Sequence, residues 1–292
     1  MLRFRVPSAV LLAGVSALFA VLSGCSDGGG GDAEPKHNPD VLGSGERISE
    51  VNTRPVRPTE EEIVYISGAR IAHIDTFDET GEGQVGNVFL SDFTENPGPN
   101  EGILLYGASY SPPSFRPRIG DVVDVSANYS EFRIDLSFIP EDFTTPELTG
   151  GRVTERFDAV SEIPPPIVAV EPLSDTATED EQINTFEGVV DLIDYKRGRP
   201  WLSMLVTMEN VKVAEGLSVD KAGRASVVLA PPNGVSIDGS LRPTITNELF
   251  DLGGSGLDIQ SGATIKRVTG YVTLFSHFQI APRSAADIEL GP

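Results

Sequence analysis

The chain has 292 residues, with 43 acidic against 22 basic side chains and a formal charge of −21 at neutral pH. That balance argues against a groove that tracks phosphates, which needs clustered Lys and Arg, so nucleic acid is not expected as a partner. One cysteine excludes an intrachain disulfide, three histidines leave little for a zinc site, and 30 glycines with 22 prolines punctuate short apolar stretches.

The N-terminus opens with Arg3 and Arg5 and no acid, followed by an apolar run from Ser8 to Val21. The run is shorter than the roughly 20 residues a spanning helix needs, and it has the layout of an export signal. It stops at Leu22-Ser23-Gly24-Cys25, which resembles the lipobox of bacterial lipoprotein signal peptides. The resemblance implies cleavage after Gly24 and lipidation of Cys25. It also implies more than one acyl chain, since a single chain anchors only marginally. Ser26 after the cysteine then points to the outer membrane. Residues 1–24 are accordingly read as a signal peptide and Cys25 as the link to the membrane of the cell envelope. Residues 25–60 are dominated by Gly, Pro, Asp, Glu and Ser and read as a flexible tether.

From residue 61 onward, long 3.6-residue periodicity is missing and short alternating stretches recur, as half-buried strands require. In 61–160 strands are expected at about 63–74, 85–91, 102–106 and 120–128. Strict alternation adds Ile134, Leu136 and Phe138 and then 152–157. Between the first two lies an acidic loop. Its Asp75, Asp78, Glu79 and Glu82 could supply hard oxygen ligands to calcium, although the spacing is not that of an EF-hand; a solvated hairpin connection is the other reading. Tyr106, with Arg116 after it, forms an aromatic–basic candidate for ligand binding. Residues 161–183, with Pro164-Pro165-Pro166, read as a connector, and Thr178 with Glu181 has the spacing of a capping box.

In 184–292 strands are expected at 186–195, 201–213, 225–230, 234–238 and 263–274. Lys196-Arg197-Gly198-Arg199-Pro200 is the basic cluster of the folded part, flanked by Tyr195 and Trp201. It reads as a charged hairpin tip, or as a patch of basic and aromatic groups that could hold a single strand. His73 and His277 fall in strand-like segments with no partner set for catalysis. No phosphate-binding loop or nucleophile elbow occurs. Gly102 and Gly234 open similar six-residue frames, and Gly120 and Gly262 each precede an apolar strand, so the two halves read as a diverged duplication.

Several stretches together resemble a known family. They are Asp75-Thr-Phe-Asp-Glu-Thr-Gly81, Gly86-Asn-Val-Phe-Leu-Ser-Asp92, Gly102-Ile-Leu-Leu-Tyr106, Gly120-Asp-Val-Val-Asp-Val125, Met204 to Val213 and Gly270 to Ile288, the last closing on Ala-Pro-Arg-Ser-Ala-Ala-Asp-Ile. They are similar to the tandem OB-like β-barrel modules of exported bacterial lipoproteins, modules that also accompany exported endonuclease/exonuclease/phosphatase-type nucleases. The resemblance implies an all-β chain with two OB-like five-stranded β-barrel domains in tandem, 61–160 and 184–292. The chain ends at Pro292, where the nuclease catalytic domain would follow, so no catalytic residue is carried over and neither enzymatic activity nor a cofactor is expected. The expected role is a lipid-anchored module that binds or scaffolds another envelope component, a protein or a glycan. The alternative is an accessory module for single-stranded nucleic acid.

Overall fold

The strand that founds the first half, β1 (Glu62–Ile74), is long enough to serve two neighbours. Its first part pairs antiparallel with β5 (Val122–Phe132) and its second with β2 (Val88–Asp92). The change of partner occurs at a bulge around Gly68, whose φ of +71° only a glycine adopts at little cost. A computed structural model describes residues 45–54, 62–79, 81, 83, 85–133, 143–156, 163–173, 176–232 and 242–291. In it β2 pairs with β3 (Gly102–Tyr106), β3 runs parallel to β6 (Thr145–Glu155), and β6 returns to β5, so that β1-β2-β3-β6-β5 closes on itself. The short β4 (Ser109–Ser111) lies along β6.

The second half repeats this path. After β7 (Ile167–Val168), the long β8 (Leu205–Val219) pairs with β9 (Ala225–Leu229) and with β11 (Thr264–Leu274). β10 (Thr244–Thr246) pairs with β9 and runs parallel to β12 (Phe278–Ala281), which returns to β11; β13 (Ile288–Leu290) flanks β11. Both halves are thus five-stranded closed barrels of one topology, each with a single parallel pair at the closure. That is the tandem OB-like, all-β architecture. The duplication shows at Gly120 and Gly262. Both have positive φ, and both donate to the first long strand of their barrel, Gly120 N to Ile71 O at 2.8 Å and Gly262 N to Val213 O at 2.9 Å. The paired frame at Gly234 and the strands expected at 134–138 and 234–238 lie outside the described residues.

Side chains fill both barrels. Ile66, Ile71, Leu90, Leu105, Val123 and Leu148 are buried in the first, and Val206, Met208, Val227, Ile245, Ile265 and Ile280 in the second. A third cluster joins them. Tyr271 of β11 packs on Phe89 of β2 with ring centroids 4.5 Å apart, and its hydroxyl donates to Ala72 O of β1 at 3.0 Å. Both barrels belong to one compact unit.

Three expectations need correction. Within the segment read as tether, α1 (Ile48–Asn52) is ordered against the first barrel. Ile48 and Val51, three apart on one helical face, are both fully buried in its core, enough apolar surface to hold a single turn. The strand expected at 186–195 is instead a 3-10 helix over Gly188–Ile193 followed by α3 (Tyr195–Gly198). Asp194 accepts from the backbone N–H groups of Lys196 and Arg197, and this cap starts α3 where a hairpin tip was expected. The capping box does form: Thr178 and Glu181 exchange bonds at the start of α2 (Glu179–Ile183).

Candidate binding cleft

The long strands and their connections leave a cleft of about 750 Å3 with walls from both barrels. The size is that of a small-ligand site. One wall carries Asp75, Phe77 and Glu79 from the segment after β1, Tyr106 from the end of β3, Phe132 from the end of β5, and Glu147 from β6. The other carries β9, β10 and β12, with Arg224, Glu248, Phe275 and His277 from the turns between strands. Strand ends and turns reach the cleft because the closed barrels use their strand middles for the core.

Three carboxyls of the cleft share one condition. Burial raises Asp75 to about 6, Glu147 to about 7 and Glu248 to about 7, and Asp75 is raised further by its neighbours Glu79 and Asp78. Each keeps one partner. Asp75 Oδ1 accepts from Phe77 N at 3.0 Å, Glu248 Oε2 from Thr273 Oγ1 at 2.7 Å, and Glu147 Oε1 from Ser130 Oγ at 3.5 Å. All three line the same cleft as Tyr106. Its phenol is raised first by burial and then by the charges of Glu248, Glu147 and Asp75. Rings line the space between them. Tyr106, Phe132 and Phe275 are 36%, 48% and 48% exposed, so their faces are open to a ligand.

The basic groups of the cleft are already engaged. Arg224 pairs with Glu79 at 3.3 Å and lies over the Phe275 ring, 5.4 Å from its centroid. His277 meets Thr244 Oγ1 through Nε2 at 3.2 Å and Ser276 Oγ through Nδ1 at 2.8 Å, and burial lowers its pKa, so the ring is neutral at pH 7.

The structure scatters the residues singled out from the sequence. Tyr106, Asp75 and Glu79 reach the cleft. Asp78 folds back on its own loop, accepting from Gly81 N at 2.9 Å and Gly83 N at 2.7 Å. Glu82 and Cys25 lie outside the described residues. Among the described residues no group of three or more His, Cys, Asp or Glu could hold a metal ion. Arg116 is exposed on the loop after β4 and donates to Pro113 O and Phe115 O.

The Tyr195–Trp201 cluster is a structural joint. Arg197 donates to Asp191 at 2.9 Å and to Glu187 at 2.6 Å, both acceptors being buried. Arg199 bonds to the buried Glu131 of the first barrel, whose carboxylate also accepts from Tyr129 and Thr144. Tyr195 stacks on Phe143 at 4.3 Å and donates to Thr144 O at 2.6 Å, and Trp201 is 2% exposed against Phe186. Sequence reading missed Glu147, Glu248, Phe132 and Phe275. Their residue types carry no spacing signal, because the cleft draws them from separate strand ends.

No family model matches the chain, and no curated protein does. Among similar solved structures is fission yeast Pot1 with ssDNA, at 12% identity and a TM-score of 0.31, covering 84% of this chain and 88% of that one. The single-stranded DNA binding protein of Thermus aquaticus is another, at 12% identity and a TM-score of 0.19, covering 81% of this chain and 95% of that one. A deletion mutant of the same protein is similar at 14% identity and a TM-score of 0.19, covering 80% and 94%. The Pot1 structure is one with ssDNA, and the other two are named as single-stranded DNA binding proteins; the expectation that nucleic acid is not a partner rested on net charge alone and is withdrawn. Net charge sums over a whole surface and does not describe one groove. The barrel assignment itself rests on the strand pairings.

Proposed function

We propose that the protein is a non-catalytic binding protein, held to the cell envelope by lipid on Cys25, that seats its ligand in the cleft between its two OB-like barrels. The observation that carries this reading is that Asp75 and Glu147 of one barrel and Glu248 of the other line a single cleft together with the exposed ring of Tyr106. Rings offer faces for stacking, and the buried or half-buried carboxyls and hydroxyls orient what stacks. A binding role is supported by His277, which spends both ring nitrogens on hydroxyls of the protein.

The test is hydrogen exchange of the whole chain with a thymidine 12-mer, a chito-oligosaccharide and spermidine. At least one should protect the cleft strands 225–229, 244–246 and 278–281, and the protection should vanish in a Tyr106→Ala/Phe275→Ala variant. Protection by none of them, or protection confined to surfaces away from the cleft, would overturn the reading. For the anchor, labelled palmitate should enter the wild type and not Cys25→Ser.

A second reading is that of a single-strand-binding module. Open rings at Tyr106, Phe132 and Phe275 with Arg224 beside them favour it, since bases stack on such rings and a guanidinium assists. Thymidine 12-mer affinity should then fall with salt. It should rise as pH drops from 8 to 5.5, because Asp75, Glu147 and Glu248 lose their charge in that interval.

A further inference from the structure

We propose that the cleft takes an oligoamine, a ligand with two or more protonated amines on an extended chain. Its ammonium groups would lie against Glu147, Glu248 and Asp75, and its chain against the rings of Tyr106, Phe132 and Phe275. The proposal rests on the cleft being the binding site, and it names the ligand class.

Charge accounting comes first. Among the described residues lining the cleft, Arg224 is the sole permanent cation, and it is taken up by Glu79. His277 is neutral at pH 7. Asp75, Glu147 and Glu248 therefore line the cleft with no cationic partner among its described lining residues, and burial raises the pKa of each. An arriving ammonium supplies the missing charge and restores each carboxyl to its ionised form.

Geometry then narrows the cation. A bare metal ion needs its ligands gathered within one coordination shell, and no such group occurs among the described residues. The carboxyls come instead from separate elements, Asp75 after β1, Glu147 on β6 and Glu248 after β10, around about 750 Å3 of space. Several separated charges on a chain suit that spread better than one compact charge. The spaces between the carboxyls are ring faces, where a cation gains from the quadrupole and methylenes gain from burial. The cleft already displays the arrangement once, in Arg224 held between the carboxylate of Glu79 and the ring of Phe275. An anionic ligand meets repulsion here at neutral pH. A neutral sugar gains nothing from ionisation of the carboxyls.

Calorimetry with spermidine as the probe tests the proposal, with a diol of equal chain length as the uncharged control. Saturable binding is expected at pH 8, at least tenfold weaker at pH 5.5, with no heat from the diol. A Glu147→Gln/Glu248→Gln variant should lose at least tenfold at pH 8. Glu209→Gln, an exposed acid on β8 outside the cleft, should bind as wild type. Equal binding by the double variant, or an equal loss in Glu209→Gln, would mean that spermidine condenses diffusely on an acidic surface, and would overturn the proposal. If spermidine fails while the thymidine 12-mer or the oligosaccharide protects the cleft strands, the oligoamine falls and the cleft reading stands. If no probe protects them, both fall.

Discussion

Arg199 and Glu131 show how far the function of a side chain departs from its type. A guanidinium in the one basic run of the folded part looks like a surface contact. In the structure its side chain is 14% exposed and its partner carboxylate 1%. Removing one member of such a pair leaves the other charged and buried, which costs about 3–5 kcal/mol. Arg199→Met should therefore lower stability by about that amount in urea unfolding, whereas Lys196→Ala, on the exposed side of α3, should change it by less than about 0.5 kcal/mol. The cleft carboxyls carry the opposite sign. Glu147 and Glu248 have folded pKa values of about 7, above the ordinary 4.5. The folded state holds their protons more tightly, so the stability they contribute is present below about pH 4.5 and is lost as pH rises through 7. Glu147→Gln and Glu248→Gln should each raise Tm at pH 8, by roughly 2–4 °C, and the gain should disappear at pH 4.5. Groups that cost stability at neutral pH and line a cleft fit a binding role.

At the scale of elements, α1 is the clearest case of a short segment made stable by its surroundings. Five residues cannot hold a helix in water. Asp92, at the end of β2, supplies what the segment lacks. Its two oxygens accept from Ile48 N at 2.8 Å, Ser49 N at 3.1 Å and Ser49 Oγ at 2.7 Å. Asp92→Ala should release the helix start at a cost of about 1–2 kcal/mol, and Ile48→Ala should cost about 2–4 kcal/mol by leaving a hole in the first core. In both variants the amides of 48–52 should exchange faster while those of β9–β12 keep their protection. Loss of protection in both barrels would show α1 to be part of the global core.

For the whole molecule, the joint between barrels decides whether the cleft has a fixed shape. Asn52 of α1 donates to Asn100 O and Gly102 O, Arg199 reaches Asn52 O and Glu131, and Asn100 N donates to Pro200 O at 2.6 Å. Gly102 makes this approach feasible, since a Cβ there would lie 2.6 Å from Met204 Sδ and 2.8 Å from the backbone of Ser203. Gly102→Val should push the barrels apart. Thermal unfolding, expected as one transition in the wild type, should then split or broaden, and ligand protection in the cleft should weaken while each barrel keeps its own core. A single sharp transition with unchanged cleft protection would refute this role for Gly102.

Local chemistry was enough for most of the period-2 strands, for the Thr178–Glu181 cap and for Gly120 and Gly262 as the residues that precede apolar strands, while the two OB-like barrels followed only from the resemblance. The strands, the cap and the glycines depend on neighbours a few residues apart, where pattern and backbone preference act directly, whereas barrel closure pairs strands more than thirty residues apart. The 186–195 segment shows the limit: Val189, Val190, Leu192 and Ile193 satisfy a strand or a helix alike, and only packing of Val189 and Leu192 into the second core selects the helical form. The assignment of Arg197 and Arg199 to internal ion pairs, and the meeting of Asp75, Glu147 and Glu248, belong to tertiary structure alone. Their partners are set by barrel closure and by the joint between barrels, which bring distant strand ends together at spacings that carry no trace in the order of residues.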